Sequence, residues 1–220
     1  MAISKGFKWE VLSKDDEYWN TPDFMIHYLS YRWKQAEFKS FLDIGCGLGR
    51  HAIYMAKNGF NVYAFDYSKY VIELVKEKAY KNDVDIKLCI ANIADFPYEN
   101  ESIDCMGAIG VLSNSDKDGI LRVLKEMHRV LKVGGEAYFN IISKFSDNDS
   151  EGELFNGNSF YQINENDFEW LFKDFEIVSI RLVDEIYNSN ERPAYCVLLK
   201  KVNKNNSYDE NNLNDNMFLI

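Results

Sequence analysis

The chain has 220 residues, a length that suits one domain with a full core and leaves little for a second. Hydrophobic residues make up 46% and aromatics 15%, so folding by burial needs no covalent staples. The net charge of −10 argues against a nucleic-acid binder, because phosphate contacts call for a basic surface. Cys46, Cys89, Cys105 and Cys196 are far apart, with no C-x-x-C pair, which argues against a zinc site or a disulfide framework. The N-terminus MAISKGFKWE has no apolar signal core and no run is long enough to span a bilayer. A reduced, cytoplasmic protein without a metal is the expectation.

Residues 1–38 read as a helical lead-in or cap. Phe24, Tyr28 and Tyr31 stand at helical spacing over 23–34, and Pro22 fits an early helical position. From residue 39 to 202 strands and helices alternate. Residues 40–45 form an apolar strand, and 50–58 a helix stopped by Gly59. Residues 61–66 form a strand. Ser68 caps a helix over 69–81 that faces inward through Val71, Ile72, Val75 and Ala79. Strands follow at 85–92 and 103–109. The helix from 117 to 132 carries Ile120, Leu124, Met127 and Leu131 in one stripe and is expected to stop at Gly134-Gly135. A fifth strand spans 136–143. Residues 144–159 are polar and suit a surface loop or lid. Asn164 caps a short helix with Phe168, Leu171 and Phe172. Residues 175–186 and 194–202 read as a hairpin around NSNERP that closes one edge of the sheet. The asparagine-rich tail, 203–220, has a disordered composition.

Alternation of this kind implies a doubly wound α/β sheet, mostly parallel, with its ligand beyond the carboxyl ends of the strands. The first strand ends in Gly45-Cys46-Gly47-Leu48-Gly49, a G-x-G-x-G run. A dinucleotide fingerprint is G-x-G-x-x-G, so the third glycine comes one residue early. Asp43, two residues upstream, would repel a pyrophosphate and attract a cation such as an ammonium. Asp66 closes the second strand about 20 residues beyond the first glycine, where a carboxylate suits two ribose hydroxyls.

These residues resemble the class I S-adenosylmethionine-dependent methyltransferases, of small-molecule type. LDIGCGLG is similar to the first motif of that family and VYAFDYS to its second. ANIADFPYENESIDCMGAIGVLSN and LKEMHRVLKVGGEAYFNI resemble what comes next. The resemblance implies a Rossmann-like sheet of seven strands with one antiparallel strand. It implies S-adenosylmethionine as cofactor and S-adenosylhomocysteine as product. By the same carry-over, Gly45, Cys46, Gly47 and Gly49 would line the methionine and ribose, and Asp43 would receive the ammonium. Asp66 would hold the ribose hydroxyls and Tyr67 one adenine face. Asn92 and the Ile93 N–H would meet the adenine, and Ile109 would begin the loop beneath the sulfonium.

The acceptor is less legible. Many small-molecule members read V-L-H-H after the fourth strand, whereas this chain reads Val111-Leu112-Ser113-Asn114. Tyr18, Trp19 and Asn114 are the substrate-side candidates; no base is assigned, with Tyr161 and His51 as candidates and a structural role at the helix start as the alternative for His51. A small-molecule acceptor is expected, with neither nucleic acid nor membrane as partner. Two other readings stay open: a cofactor-binding protein without catalysis, and a nicotinamide oxidoreductase, which the glycine spacing opposes.

Overall fold

The computed structural model describes residues 17–143, 152–153, 159–160, 162–187 and 190–203. Five strands, β1 (Ser40–Ile44), β2 (Asn61–Asp66), β3 (Ile86–Ile90), β4 (Ile103–Ala108) and β5 (Leu131–Ile142), pair in parallel. A two-stranded ribbon, β6 (Gly152–Glu153) with β7 (Ser159–Phe160), stands apart. The hairpin β8 (Phe175–Tyr187) and β9 (Asn190–Lys201) completes the main sheet, in the order β3-β2-β1-β4-β5-β9-β8. Strand β9 is antiparallel to both of its neighbours, so it alone runs against the other six. The expected seven-stranded sheet with one reversed strand is what the chain forms.

Helices α1 (Glu17–Asn20), α2 (Phe24–Gln35), α3 (Arg50–Lys57) and α4 (Lys69–Lys81) precede β3; α5 (Lys117–Val130) and α6 (Phe168–Leu171) come later. Helices α2, α3 and α4 share one core layer with Phe41, Val62, Ala64, Cys105 and Tyr138. Helices α5 and α6 share the opposite layer with Leu42, Ile44, Met106 and Phe139. Alternate residues of β1 thus feed opposite layers, as the pleat requires. The sheet is covered on both faces at its centre, which is why β1 is buried at every position.

The structure settles which face of α2 is buried and moves the end of α5. The stripe Phe24, Tyr28 and Tyr31 of α2 faces outward, with Phe24 81% exposed. Ile26, Leu29 and Trp33, about half a turn away, are the buried set. Each such burial stabilises by roughly 1.5–3 kcal/mol. Glu136 on β5 anchors this face. Its carboxylate accepts from Arg32 Nε at 3.0 Å and Nη2 at 2.7 Å, and from Trp33 Nε1 at 2.8 Å. Helix α5 ends at Val130, before the glycine pair. Glu101 N and Ser102 N donate to the carbonyls of Arg129 and Val130, and Leu131 already pairs with Ile103. Those contacts draw the chain into the sheet sooner than the helix-stop residues alone would.

Replacing Glu136 tests the docking of α2. Glu136→Ala strands the buried Trp33 N–H and is expected to cost about 2–4 kcal/mol in urea unfolding. Glu136→Gln keeps an acceptor for Trp33 and is expected to cost about half of that. Equal losses in the two variants would show that the Trp33 contact carries nothing.

Candidate functional site

The loop between β1 and α3 turns through three left-handed glycines, Gly45, Gly47 and Gly49, with φ of 60°, 50° and 78°. A Cβ on Gly45 would lie 2.9 Å from Val111 Cγ2, and one on Gly49 would lie 2.7 Å from Val75 Cγ1. Side chains are excluded at both places by conformation and by space. The loop is pinned at both ends. Cys46 N donates to Phe65 O at 3.0 Å, and Gly49 N to Cys46 O at 2.9 Å.

Gly49 is the N-cap of α3 and offers no side chain to its first-turn N–H groups. Asp43 takes that role from the neighbouring strand: its Oδ2 accepts from Ala52 N at 3.0 Å. A carboxylate at a helix N-terminus is favoured by the helix dipole. Yet Asp43 is only 2% exposed, and burial outweighs the Ala52 N–H and the charge of Arg50, pushing its pKa up to about 7. His51, the second residue of α3, lies beside it with Nδ1 4.0 Å from Asp43 Oδ1. Burial and the charge of Arg50 push the imidazole pKa well down, so His51 is neutral. Its Nε2 is buried with no hydrogen-bond partner. A ring 4% exposed beneath the loop is poorly placed to take a proton from an incoming acceptor. The base role considered for His51 does not match this placement.

Asp66 closes β2 beside the loop. Its Oδ2 accepts from Gly47 N at 3.2 Å and its Oδ1 from Ser68 N at 3.0 Å. The Tyr67 N–H also bonds this carboxylate, so only part of its acceptor capacity remains for an outside donor. Burial again dominates and raises its pKa above the usual carboxylate value. The Cys46 thiol is pushed up by burial and by both carboxylates, so it stays protonated and unreactive.

The other expected residues distribute around these two. Tyr67 follows Asp66 and is half exposed. Asn92, past the tip of β3, folds its Oδ1 back onto Ala94 N at 2.9 Å, which leaves one lone pair for a ligand. Ile93 packs partly into the core beneath that turn. Ile109 leaves β4 half-buried, next to Gly110. Trp19 lies under the guanidinium of Arg50, 5.7 Å from its ring centroid. Tyr18 and Asn114 are placed in α1 and in a short 3-10 turn, but their side chains lie outside the described residues. Tyr161, most of the 144–159 loop and nearly all of the tail also lie outside them.

Three further residues build the site that sequence reading missed. Lys78, at the end of α4, donates to Leu48 O in the glycine loop at 3.2 Å and to Asn20 Oδ1 at 2.6 Å. Arg50 donates to Thr21 O at 3.2 Å. Asn140, buried on β5, accepts from Gly110 N at 2.7 Å and fixes the loop after β4. The only sequence signal for any of them was the polarity of Asn140 inside an apolar strand. Among the described residues no cluster of three or more His, Cys, Asp or Glu could hold a metal, and no helix is long and apolar enough to cross a membrane.

The buried Asp43 carries a pH prediction. An unfolded chain releases this proton near 3.8, whereas the folded chain keeps it to about 7. The native state therefore binds the extra proton, and stability falls as pH rises between those values. Below them no penalty exists, and above them it is complete. Asp43→Asn, which retains an acceptor for Ala52, is expected to reduce that slope and raise Tm at about pH 8. Urea titrations across this range check it; an unaltered slope excludes Asp43 as the source.

Residues 42–139 match the family described as a methyltransferase domain. An uncharacterized protein of Methanocaldococcus jannaschii is 30% identical over 145 residues, 66% of this chain and 57% of that one. The 27-O-demethylrifamycin SV methyltransferase of Amycolatopsis mediterranei is 35% identical over 97 residues, 43% of this chain and 35% of that enzyme. The chain thus spans about half or less of these curated relatives. Among solved structures, a SAM-dependent methyltransferase from Methanosarcina mazei superposes with a TM-score of 0.68 at 20% identity, covering 83% of this chain and 99% of that one. That likeness is one of fold, and its share of the chain is larger than that of the family match. With the glycine loop, the two strand-tip carboxylates and the single reversed strand β9, residues 42–139 match a methyltransferase domain, set in a sheet that has the fold of a SAM-dependent methyltransferase.

Proposed function

We propose that the protein transfers the methyl group of S-adenosylmethionine to a small-molecule acceptor by in-line displacement. The observation that carries this reading is the pair of buried carboxylates, Asp43 and Asp66, at the tips of adjacent strands on either side of a left-handed glycine loop. The donor set fits that cofactor. Asp43 offers a buried anion to a cation, and Asp66 offers its remaining acceptor capacity to hydroxyl donors. The glycines bring backbone within reach of a ligand where a Cβ would collide.

In this reading Asp43 holds the ammonium, and Asp66 both ribose hydroxyls. Tyr67 covers one adenine face, and Asn92 with the Ile93 N–H meets the adenine edge. Ile109 begins the wall beneath the sulfur, and Asn140 fixes that wall through Gly110. When bound, the cofactor supplies a methyl on a cationic sulfur, which an acceptor lone pair displaces as the neutral thioether leaves. The chain's own contribution is alignment and water exclusion, worth roughly 7–11 kcal/mol of a barrier when two reactants are held in register. Trp19, beside the Arg50 guanidinium, would wall the acceptor side, and Tyr18 and Asn114 are the other acceptor-side candidates of the sequence. The net charge of −10 and a relative named for 27-O-demethylrifamycin SV both favour a small acceptor.

Titration calorimetry with S-adenosylmethionine and S-adenosylhomocysteine tests the reading first. Binding is expected in the micromolar range and is expected to weaken as pH falls below about 7, where Asp43 takes up its proton. Asp66→Ala removes the acceptor of two hydroxyls and is expected to weaken binding about 100-fold or more. No heat at high micromolar cofactor ends the proposal. Methyl-donor turnover across a metabolite library then identifies the acceptor, and turnover only on nucleic acid would overturn its small-molecule part.

A further inference from the structure

We propose that Glu126 and Arg129 of α5 are positioning residues for the adenine end of S-adenosylmethionine, acting through the turn that carries Asn92 and Ile93. The inference rests on the cofactor reading above and names what holds that turn. Its start is tied to the sheet, where Ala91 N donates to Asp66 O at 3.1 Å. Within it Asp95 N donates to Asn92 O at 3.1 Å, and Ala94 N to Asn92 Oδ1 at 2.9 Å. Its far end is Phe96, and α5 grips that residue by both backbone groups. Phe96 N donates to Glu126 Oε2 at 2.8 Å, and Phe96 O accepts from Arg129 Nη2 at 2.9 Å.

The two side chains work as one unit. Three residues apart on a helix, they share a face. Arg129 Nε and Nη2 donate to the two Glu126 carboxylate oxygens at 2.9 and 2.7 Å. This fork sets the plane of the guanidinium, and its Nη1 then reaches Tyr98 O at 2.7 Å and Asn100 Oδ1 at 3.0 Å. An exposed ion pair contributes little. Here the carboxylate is largely shielded, and the groups left over are all directed at residues 96–100. The charge of Asp95 also acts on the guanidinium, so clasp and turn are neighbours. The Phe96 ring is buried against Phe65, with centroids 5.0 Å apart, and Phe65 precedes Asp66. The turn is thus set in register with the strand tip that carries the ribose carboxylate. Such a frame controls direction: Asn92 and the Ile93 N–H match an adenine edge only from a fixed backbone.

The test compares S-adenosylhomocysteine with S-inosylhomocysteine by titration calorimetry. In the second ligand a carbonyl oxygen replaces the adenine amino group and N1 carries a hydrogen. Neither Asn92 Oδ1 nor the Ile93 N–H then finds its partner. Wild-type protein is expected to favour the adenosyl ligand about tenfold or more. Arg129→Gln is expected to weaken the adenosyl ligand about tenfold and the inosyl ligand less than about twofold, so that the preference nearly vanishes. Arg129→Lys keeps a cation beside Glu126 but lacks the planar fork. It is expected to fall between, and it serves where the glutamine variant does not fold. Equal losses for the two ligands, or no loss for either, would make the clasp purely structural and overturn the proposal while the cofactor reading stands. Wild-type protein that binds both ligands alike would overturn it too. If wild-type protein binds neither, the cofactor reading itself fails and this inference with it.

Discussion

One contact fixes the cofactor end of the molecule: the 3.0 Å hydrogen bond from Ala52 N to Asp43 Oδ2. The helix α3 begins at a glycine that cannot cap it, so its first-turn N–H groups need an acceptor from elsewhere. Strand β1 supplies one in the last turn of chain before the loop. Strand tip and helix start are thereby tied across five residues, and the loop between them can close only through left-handed backbone. The glycines follow from that closure as much as from any ligand. So does the position of His51, which the start of α3 carries down against Asp43.

The same contact leaves the site electrostatically unfinished. A carboxylate this deeply buried is stable only when paired, and one N–H and a partly screened arginine do not complete the pairing. Asp66 repeats the situation one strand away, with backbone N–H groups on both oxygens and burial still dominant. Under the proposed cofactor reading, two such anions on adjacent strand tips would favour a cation bearing hydroxyl donors over a pyrophosphate.

The N-terminal segment is joined to this site by two other cations. Arg50 from the start of α3 and Lys78 from the end of α4 each reach α1 or the residue after it. Lys78 also holds the Leu48 carbonyl of the glycine loop. Helix α2 continues from there into the core and is locked by Glu136. Lead-in and sheet thus share one polar framework, in which the loop that faces the ligand and the segment that walls it are held by the same side chains.

Local signals in the chain determined the order of elements, the glycine turn and the two acidic strand tips. Apolar runs bounded by glycine and serine set strand and helix limits close to those observed, because backbone propensity and caps act within a few residues. The match to a methyltransferase domain over 42–139 lies in this locally coded stretch. Tertiary structure decided how α2 is held: Ile26 and Leu29 are more apolar than the hydroxyl-bearing Tyr28 and Tyr31 on the other face, and Glu136, some hundred residues away, anchors Arg32 and Trp33 beside them. It ended α5 at Val130 through sheet pairing that no helix propensity contains. It also buried His51 beside Asp43 with its imidazole neutral, and recruited Lys78 and Asn140 to the loops. Burial, pKa and long-range hydrogen bonds depend on which distant residues surround a group, and a linear sequence does not carry that neighbourhood.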